Sequence, residues 1–261
     1  MLKALLSAAG VYRIYERWLQ YQVKNGNKPE HIAIILDGNR RWASGQMLSS
    51  PWIGHQFGAS KVENLLDWCL DLDVKSITLY AFSTENFQRH PEEVERIMTI
   101  ASEKLLKILT DERIHRNEVR VKLIGRIGLL PKSIQELVLK VEEATKNYSQ
   151  HFLNIAFAYG GRAEIVDATR KIAQKIEKGI LKPDAIDEHV FAEHLYTAYL
   201  PKQDPDLIVR TSGEERLSGF LLWQSAYSEL FFLDVYWPDF RRIDLLRAVR
   251  TYQKRKRRFG Q

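Results

Sequence analysis

The chain has a single cysteine, Cys69, in 261 residues, so no internal disulfide can form, and a reducing, cytoplasmic setting is expected. Cys69 falls on the apolar side of a helical segment and reads as inert core packing. No stretch reaches 18 uninterrupted apolar residues, which excludes a membrane-spanning helix. With 14 glycines and 8 prolines, the composition is neither collagen-like nor disordered. The seven histidines show no His-x-x-x-His spacing and a Cys-x-x-Cys pair is absent, so zinc is unsupported. No Gly-x-Ser-x-Gly elbow and no Gly-Lys-Ser/Thr phosphate loop occurs.

What is present fits one large domain: 45% hydrophobic and 28% charged residues, with a net charge of +6. Apolar runs predict strands at 31–36, 75–82, 119–124, 152–158 and 206–210, and a short one near 230–236. Between them, helical spacing predicts helices at 8–24, 56–71, 91–110, 131–147, 161–178, 187–198 and 241–257. Alternation of nearly continuous apolar strands with helices predicts an α/β fold, a single domain whose mostly parallel central sheet is flanked by helices.

Both ends carry amphipathic or basic character. Residues 1–11 begin like a signal peptide, but the pattern runs on into a helix with Val11, Tyr15, Trp18 and Gln22 on one stripe. Residues 1–28 are therefore read as a helical extension before a domain at 29–261. That helix either packs on the domain edge or makes a peripheral contact with a bilayer. Segment 241–258 holds nine basic residues against Asp244 alone. A nucleic-acid binder would account for this run but not for the strand ends, so no nucleic-acid partner is expected.

Four predicted strand ends run into polar clusters: Asp37-Gly38-Asn39-Arg40-Arg41-Trp42, Ser83-Thr84-Glu85-Asn86-Phe87-Gln88-Arg89, Tyr159-Gly160-Gly161-Arg162, and Arg210-Thr211-Ser212-Gly213. Ligands of open α/β sheets bind outside the carboxyl ends of strands. Arginine-rich strand ends with Asp37 among them describe a site for a diphosphate plus a metal ion. Gly38 would let backbone N–H groups approach an anion, and Tyr159 to Arg162 would open a helix N-terminus, which suits anions. Asp37 as a mere helix cap is the plainer alternative.

These clusters, with HIAIILDGNRRWA at 31–43, Gly54-His55, TLYAFSTENFQR at 78–89, LNIAFAYGGR at 153–162, the run 204–232, WPDF at 237–240 and RRFG at 257–260, resemble the cis-prenyltransferases. The resemblance covers most of the chain and looks most like archaeal members. It implies a hydrophobic tunnel for the prenyl chain, Mg²⁺ as cofactor, a homodimer, and condensation of an allylic prenyl diphosphate with isopentenyl diphosphate. The Asp-Asp-x-x-Asp motif of trans-prenyltransferases is absent. The resemblance also assigns roles. Asp37, Asn39 and Ser83 would be catalytic. Gly38, Arg40, Arg41, Trp42, His55 and Arg89 would hold the donor diphosphate. Arg210, Arg216, Ser218, Arg258 and Gly260 would serve the acceptor, and Asp37 and Glu229 the metal.

Four departures bear on that assignment. No arginine stands in 47–53 ahead of Gly54-His55, Ala158 and Gly219 replace asparagines, and His90 replaces a proline. A lost cation weakens diphosphate binding by roughly 1–3 kcal/mol. Either Arg40 supplies the missing charge, or Trp52 and its loop narrow the choice of donor. Transfer to another acceptor, such as a different isoprenoid carbon or an alcohol, is the alternative reaction. A noncatalytic partner subunit is the third reading.

Overall fold

In this computed structural model residues 11–255 are described. Six strands form one sheet: β1 (His31–Ile35), β2 (Ser76–Ser83), β3 (Val119–Ile124), β4 (His151–Tyr159), β5 (Leu207–Arg210) and β6 (Glu229–Phe232). Their order is β3-β4-β2-β1-β5-β6 and every pairing is parallel. The sheet is buried on both faces, as the continuous apolar runs require. Along β1, Ile32 and Ile34 enter a large core with Leu79, Val209 and Trp237. Ala33 and Ile35 enter a smaller one with Tyr80, Ile208 and Phe220.

The helices are α1 (Val11–Lys24), α2 (Asn39–Gly45), α3 (Ile53–Asp71), α4 (Pro91–Ile108), α5 (Glu112–Arg116), α6 (Lys132–Thr145), α7 (Gly161–Glu177), α8 (Glu188–Ala192) and α9 (Arg242–Lys254). Pro91, Glu92 and Glu93 open α4, where a missing N–H costs nothing and the helix dipole favours acids. Two expectations are corrected. The short helix α2 follows Asp37-Gly38 where sequence spacing suggested only a turn and loop. The helix expected over 187–198 ends at Ala192. There the Tyr196 N–H donates to buried Glu164 at 2.8 Å, and the Gln224 amide donates to Thr197 at 2.9 Å. The Tyr196 bond takes a backbone N–H out of the helical pattern, and Leu195 and Ala198 close i to i−3 turns instead.

α1 lies along α9. Leu19 and Val23 are fully buried, and Arg241, Arg247 and Arg250 sit over the rings of Tyr12, Tyr15 and Trp18 at 5.6, 5.2 and 4.8 Å. The inward stripe is thus Tyr12, Tyr15, Leu19 and Val23. Val11, Ile14, Trp18 and Tyr21 stay exposed on an adjoining face. Cys69 is fully buried, and burial pushes its thiol up to about 12, which makes it inert as expected. Phe220 and Leu221 are consumed by the chain's own second core, leaving Leu222, Trp223 and Tyr227 at the surface.

His31 crosses the sheet interior as a neutral ring. Its Nε2 is 2.8 Å from the Thr78 hydroxyl, which also accepts from Asn154 at 2.9 Å. Burial lowers its pKa from 6.5 to about 4, against the opposing pull of Asp206. The unfolded chain therefore takes up this proton first. The stability involved is complete above pH 6.5 and is lost as pH falls towards 4, amounting to about 3 kcal/mol. Denaturant unfolding between pH 7 and 4 should show a shallower pH slope for His31→Asn than for wild type; equal slopes would refute the assignment.

Candidate active site

Because β1, β2 and β5 run parallel in register, Ile35 stands beside Tyr80 on one side and Arg210 on the other. The residues that follow, Asp37 and its neighbours, therefore meet Ser83 and Arg210 at one edge of the sheet. They line a cleft of about 780 Å³. Among the expected residues, the cleft is lined by Asp37, Gly38, Asn39, Arg40, Arg41, His55, Ser83, Arg89, Arg210 and Ser218.

Asp37 is the centre of one half. Its Oδ2 accepts from Arg210 at 2.8 Å, its Oδ1 accepts the Gly38 N–H at 2.7 Å, and Arg41 lies 3.5 Å away. Burial raises its pKa, but the Arg210 and Ser212 hydrogen bonds and the nearby guanidinium charges outweigh it and hold the carboxyl below its usual range. The carboxylate stays ionised at neutral pH. Gly38 adopts φ 100°, and a Cβ there would meet Tyr236 at 2.6 Å, so both backbone and space demand glycine. Arg41 also donates to the Ser212 hydroxyl at 2.7 Å and to Glu214 at 3.2 Å. Arg210 reaches the Ser218 hydroxyl at 2.9 Å and the Arg216 carbonyl.

The other half hangs on a residue that the sequence reading used only as a helix opener. Glu93, 1% exposed, accepts from Arg89 at 3.0 Å, pairs with His55 Nε2 at 2.9 Å, and lies 3.7 Å from Arg40. Three of the four proposed donor-site bases share this one carboxylate, and the fourth, Arg41, sits with Asp37. The signal was present: Glu93, Ile97 and Ile100 share one face of α4, and an acid on an apolar helix face needs a cationic partner. His55 is held below its ordinary pKa, burial being the main cause and Arg89 and Arg40 adding to it, while Glu93 opposes. Asn39 donates to the Leu36 carbonyl at 3.0 Å, while its buried Oδ1 has no protein partner. Asn86, also unassigned before, caps Ser83 through a 3.0 Å bond to its backbone N–H.

Several expected residues lie elsewhere. Trp42 packs against Phe57 at 4.9 Å and does not line the cleft. Arg216 is 64% exposed and pairs with Glu214 at 2.5 Å. Glu229 opposes Leu207, at the amino edge of the sheet, and pairs with Arg255. The parallel register thus separates Glu229 from Asp37, and a metal set of these two does not form within the chain. No group of three or more His, Cys, Asp or Glu suited to a metal exists among the described residues. At the amino end of α7 the Gly161 N–H is taken, donating to the Gly219 carbonyl at 2.8 Å, and Tyr159 to Arg162 do not line the cleft. Arg258 and Gly260 lie outside the described residues.

The departures acquire physical meaning here. Ala158 and Gly219 have φ of 50° and 78°. Asparagine and glycine are the residues that tolerate this left-handed region, so both positions concern backbone shape, and Ala158 carries some strain. In the loop before His55, Arg40 stands over the Trp52 ring at 5.2 Å, and Trp52 stacks on His90 at 6.1 Å. Two of the departing residues therefore touch each other and fix Arg40 at the rim.

Beneath the cleft lies an apolar cavity of about 170 Å³ between the sheet, α3 and α4. Leu36, Asn39, His55 and Ala81 line both spaces, so the charged cleft and the apolar cavity adjoin. A basic head site beside an apolar cavity fits a ligand with an anionic head and a hydrocarbon tail.

Comparison with known proteins agrees. Residues 35–260 match the family described as "Putative undecaprenyl diphosphate synthase", and the chain belongs to that family. It is 54% identical over 255 residues to a tritrans,polycis-undecaprenyl-diphosphate synthase (geranylgeranyl-diphosphate specific) of Methanopyrus kandleri, covering 98% of this chain and 93% of the relative. The similarly named protein of Methanocaldococcus jannaschii is also 54% identical, with 98% and 91% covered. Among solved structures, lavandulyl diphosphate synthase of Lavandula x intermedia, in complex with dimethylallyl diphosphate, superposes with a TM-score of 0.85 at 37% identity over 90% of this chain and 99% of that one.

Glu93 supplies a direct check of the geometry. Glu93→Gln removes the charge that aligns Arg40, His55 and Arg89. Losing a hydrogen bond to a charged group costs about 1.5–3 kcal/mol, so the apparent donor KM should rise roughly 10- to 100-fold. Acceptor KM should change little, and Glu93→Asp should recover part of the loss. Equal effects on donor and acceptor, measured by initial rates, would count against this division.

Proposed function

We propose that the chain condenses an allylic prenyl diphosphate, geranylgeranyl diphosphate foremost, with isopentenyl diphosphate to give a cis-polyprenyl diphosphate. The observation that carries this reading is that the arginine-lined cleft and an apolar cavity share Leu36, Asn39, His55 and Ala81 in their walls. The names of the archaeal relatives support the donor. In the reaction the allylic C–O bond breaks and its electron pair leaves with the diphosphate. The isopentenyl double bond supplies the electrons of the new C–C bond, and a proton is lost.

The chain's own residues act on charge. The Gly38 backbone, Arg40, Arg41 and Arg89 meet the negative charge growing on the leaving diphosphate, and His55, whose Nε2 faces Glu93 at 2.9 Å, braces the carboxylate that aligns Arg40 and Arg89. Arg210 and Ser218 hold the acceptor side, with Arg216 turning in from the surface. Asn39 and Ser83 stand between the two and orient the diphosphates for proton loss. Mg²⁺ fits Asp37, because this ion is ordinarily held by one or two carboxylates together with water and substrate phosphates. When bound it would add positive charge beside the leaving group.

The test incubates the full chain and Mg²⁺ with labelled isopentenyl diphosphate and geranyl, farnesyl or geranylgeranyl diphosphate, followed by mass analysis. A product ladder is expected, best from geranylgeranyl diphosphate. A single adduct on another acceptor would overturn it in favour of non-canonical transfer. Asp37→Ala should lower turnover at least ~100-fold while leaving the fold intact; near-normal turnover would refute the role of Asp37.

No helix among the described residues is long and apolar enough to cross a membrane. For the product, we propose a peripheral contact with an anionic bilayer through α1. Ile14 and Tyr21, 68% and 71% exposed, stand with Trp18 on one stripe, bordered by Arg17 and by Arg247 and Arg250 of α9. Aromatic and aliphatic groups flanked by arginines suit an interface, each cation adding about 1 kcal/mol near anionic lipid. The full chain should float with phosphatidylglycerol–phosphatidylcholine vesicles but not with phosphatidylcholine alone. Ile14→Ser with Tyr21→Ser should abolish flotation; undiminished flotation of that variant would exclude the stripe.

A further inference from the structure

The Tyr159-Gly160-Gly161-Arg162 turn stands outside the cleft lining, yet it touches the segment that carries Ser218. The Gly161 N–H donates to the Gly219 carbonyl at 2.8 Å, and a Cβ on Gly161 would fall 2.5 Å from that oxygen and 2.7 Å from the Leu222 side chain. A backbone carbonyl cannot swing aside as a side chain can, so close approach alone requires glycine here. The segment held in this way, 217–221, is an arch in a disfavoured conformation: Ser218, Gly219 and Leu221 have φ of 49°, 78° and 44°. Burial holds it there. Phe220 and Leu221 are fully buried, and the Phe220 ring stacks on Tyr80 at 4.7 Å and meets Tyr159 edge-on at 6.1 Å.

The arch decides where Arg210 points. Arg210 Nη1 donates to the Ser218 hydroxyl at 2.9 Å and to the Arg216 carbonyl, and Nη2 donates to Asp37 at 2.8 Å. Its Nε is buried and has no partner among the described residues, which leaves that N–H for an oxygen of the acceptor diphosphate. A shift of the arch would turn this guanidinium and carry Ser218 with it. The three donor-site bases on Glu93 hang on other elements and would stay in place. Building on the condensation reading above, we propose that Gly161 and Phe220 are positioning residues for the acceptor: they hold the left-handed arch that aims Ser218 and Arg210 at isopentenyl diphosphate.

The experiment measures initial rates of the full chain with Mg²⁺, geranylgeranyl diphosphate and isopentenyl diphosphate, for wild type, Gly161→Ala and Phe220→Leu. Gly161→Ala should raise the acceptor KM about 10-fold or more and leave the donor KM within about twofold, because small displacements of a binding group weaken its contacts steeply. Phe220→Leu keeps an apolar side chain but loses the ring stack, and should raise the acceptor KM about threefold or more. It decides alone if Gly161→Ala does not fold. Ala168→Gly weakens the same helix, α7, two turns further on and away from the arch; it should lower the melting temperature without moving the acceptor KM. An unchanged acceptor KM in the folded variants, or an equal rise in donor KM, refutes the role of the arch while condensation stands. If wild type itself incorporates no isopentenyl diphosphate, the condensation reading falls and takes the arch with it.

Discussion

The parallel register of β1 against β2 and β5 is the constraint on which the other features rest. A slip of one residue would exchange the two faces of β1, moving Ile32 and Ile34 out of the larger core. Since both faces are buried, that error is costly and the register is firmly set. The same register places Ile35, Tyr80 and Arg210 side by side, so the loops after them converge. The cleft is thus a consequence of core packing: hydrophobic residues fix where the charged ones meet.

Within the cleft, cations outnumber acids and would repel one another without substrate. Two carboxylates hold them apart in order. Asp37 gathers Arg210 and Arg41, and Glu93 gathers Arg89, His55 and Arg40. Each carboxylate offsets part of its own burial cost through these partners. The remaining positive charge is available to a diphosphate, and because the guanidiniums are already aligned, little reorganisation accompanies binding. Tail and head are treated by opposite physics in adjoining spaces, one dry and apolar, the other wet and charged.

The departures from the family pattern fall into two kinds. At Ala158 and Gly219 the backbone is left-handed, a conformation that asparagine and glycine both tolerate. At the rim, Trp52 and His90 stack together under Arg40. That platform gives Arg40 a fixed place at the cleft edge where the loop carries no arginine of its own, which favours Arg40 as the substitute cation.

Local pattern was enough for much of the molecule. Continuous apolar strands, helix openers such as Pro91, and the strand-end clusters around Asp37, Ser83 and Arg210 follow from residue type and spacing, because burial and turn chemistry act over a few residues. Tertiary structure alone decided the rest. That Glu93 organises three bases depends on a helix packing across from α2 and α3. That Glu229 stands away from Asp37 depends on strand register, and that residues 193–198 leave the helix depends on Glu164 and Gln224 offering other hydrogen bonds. Such contacts join residues tens to hundreds of positions apart, and their energies exist only once the chain has folded.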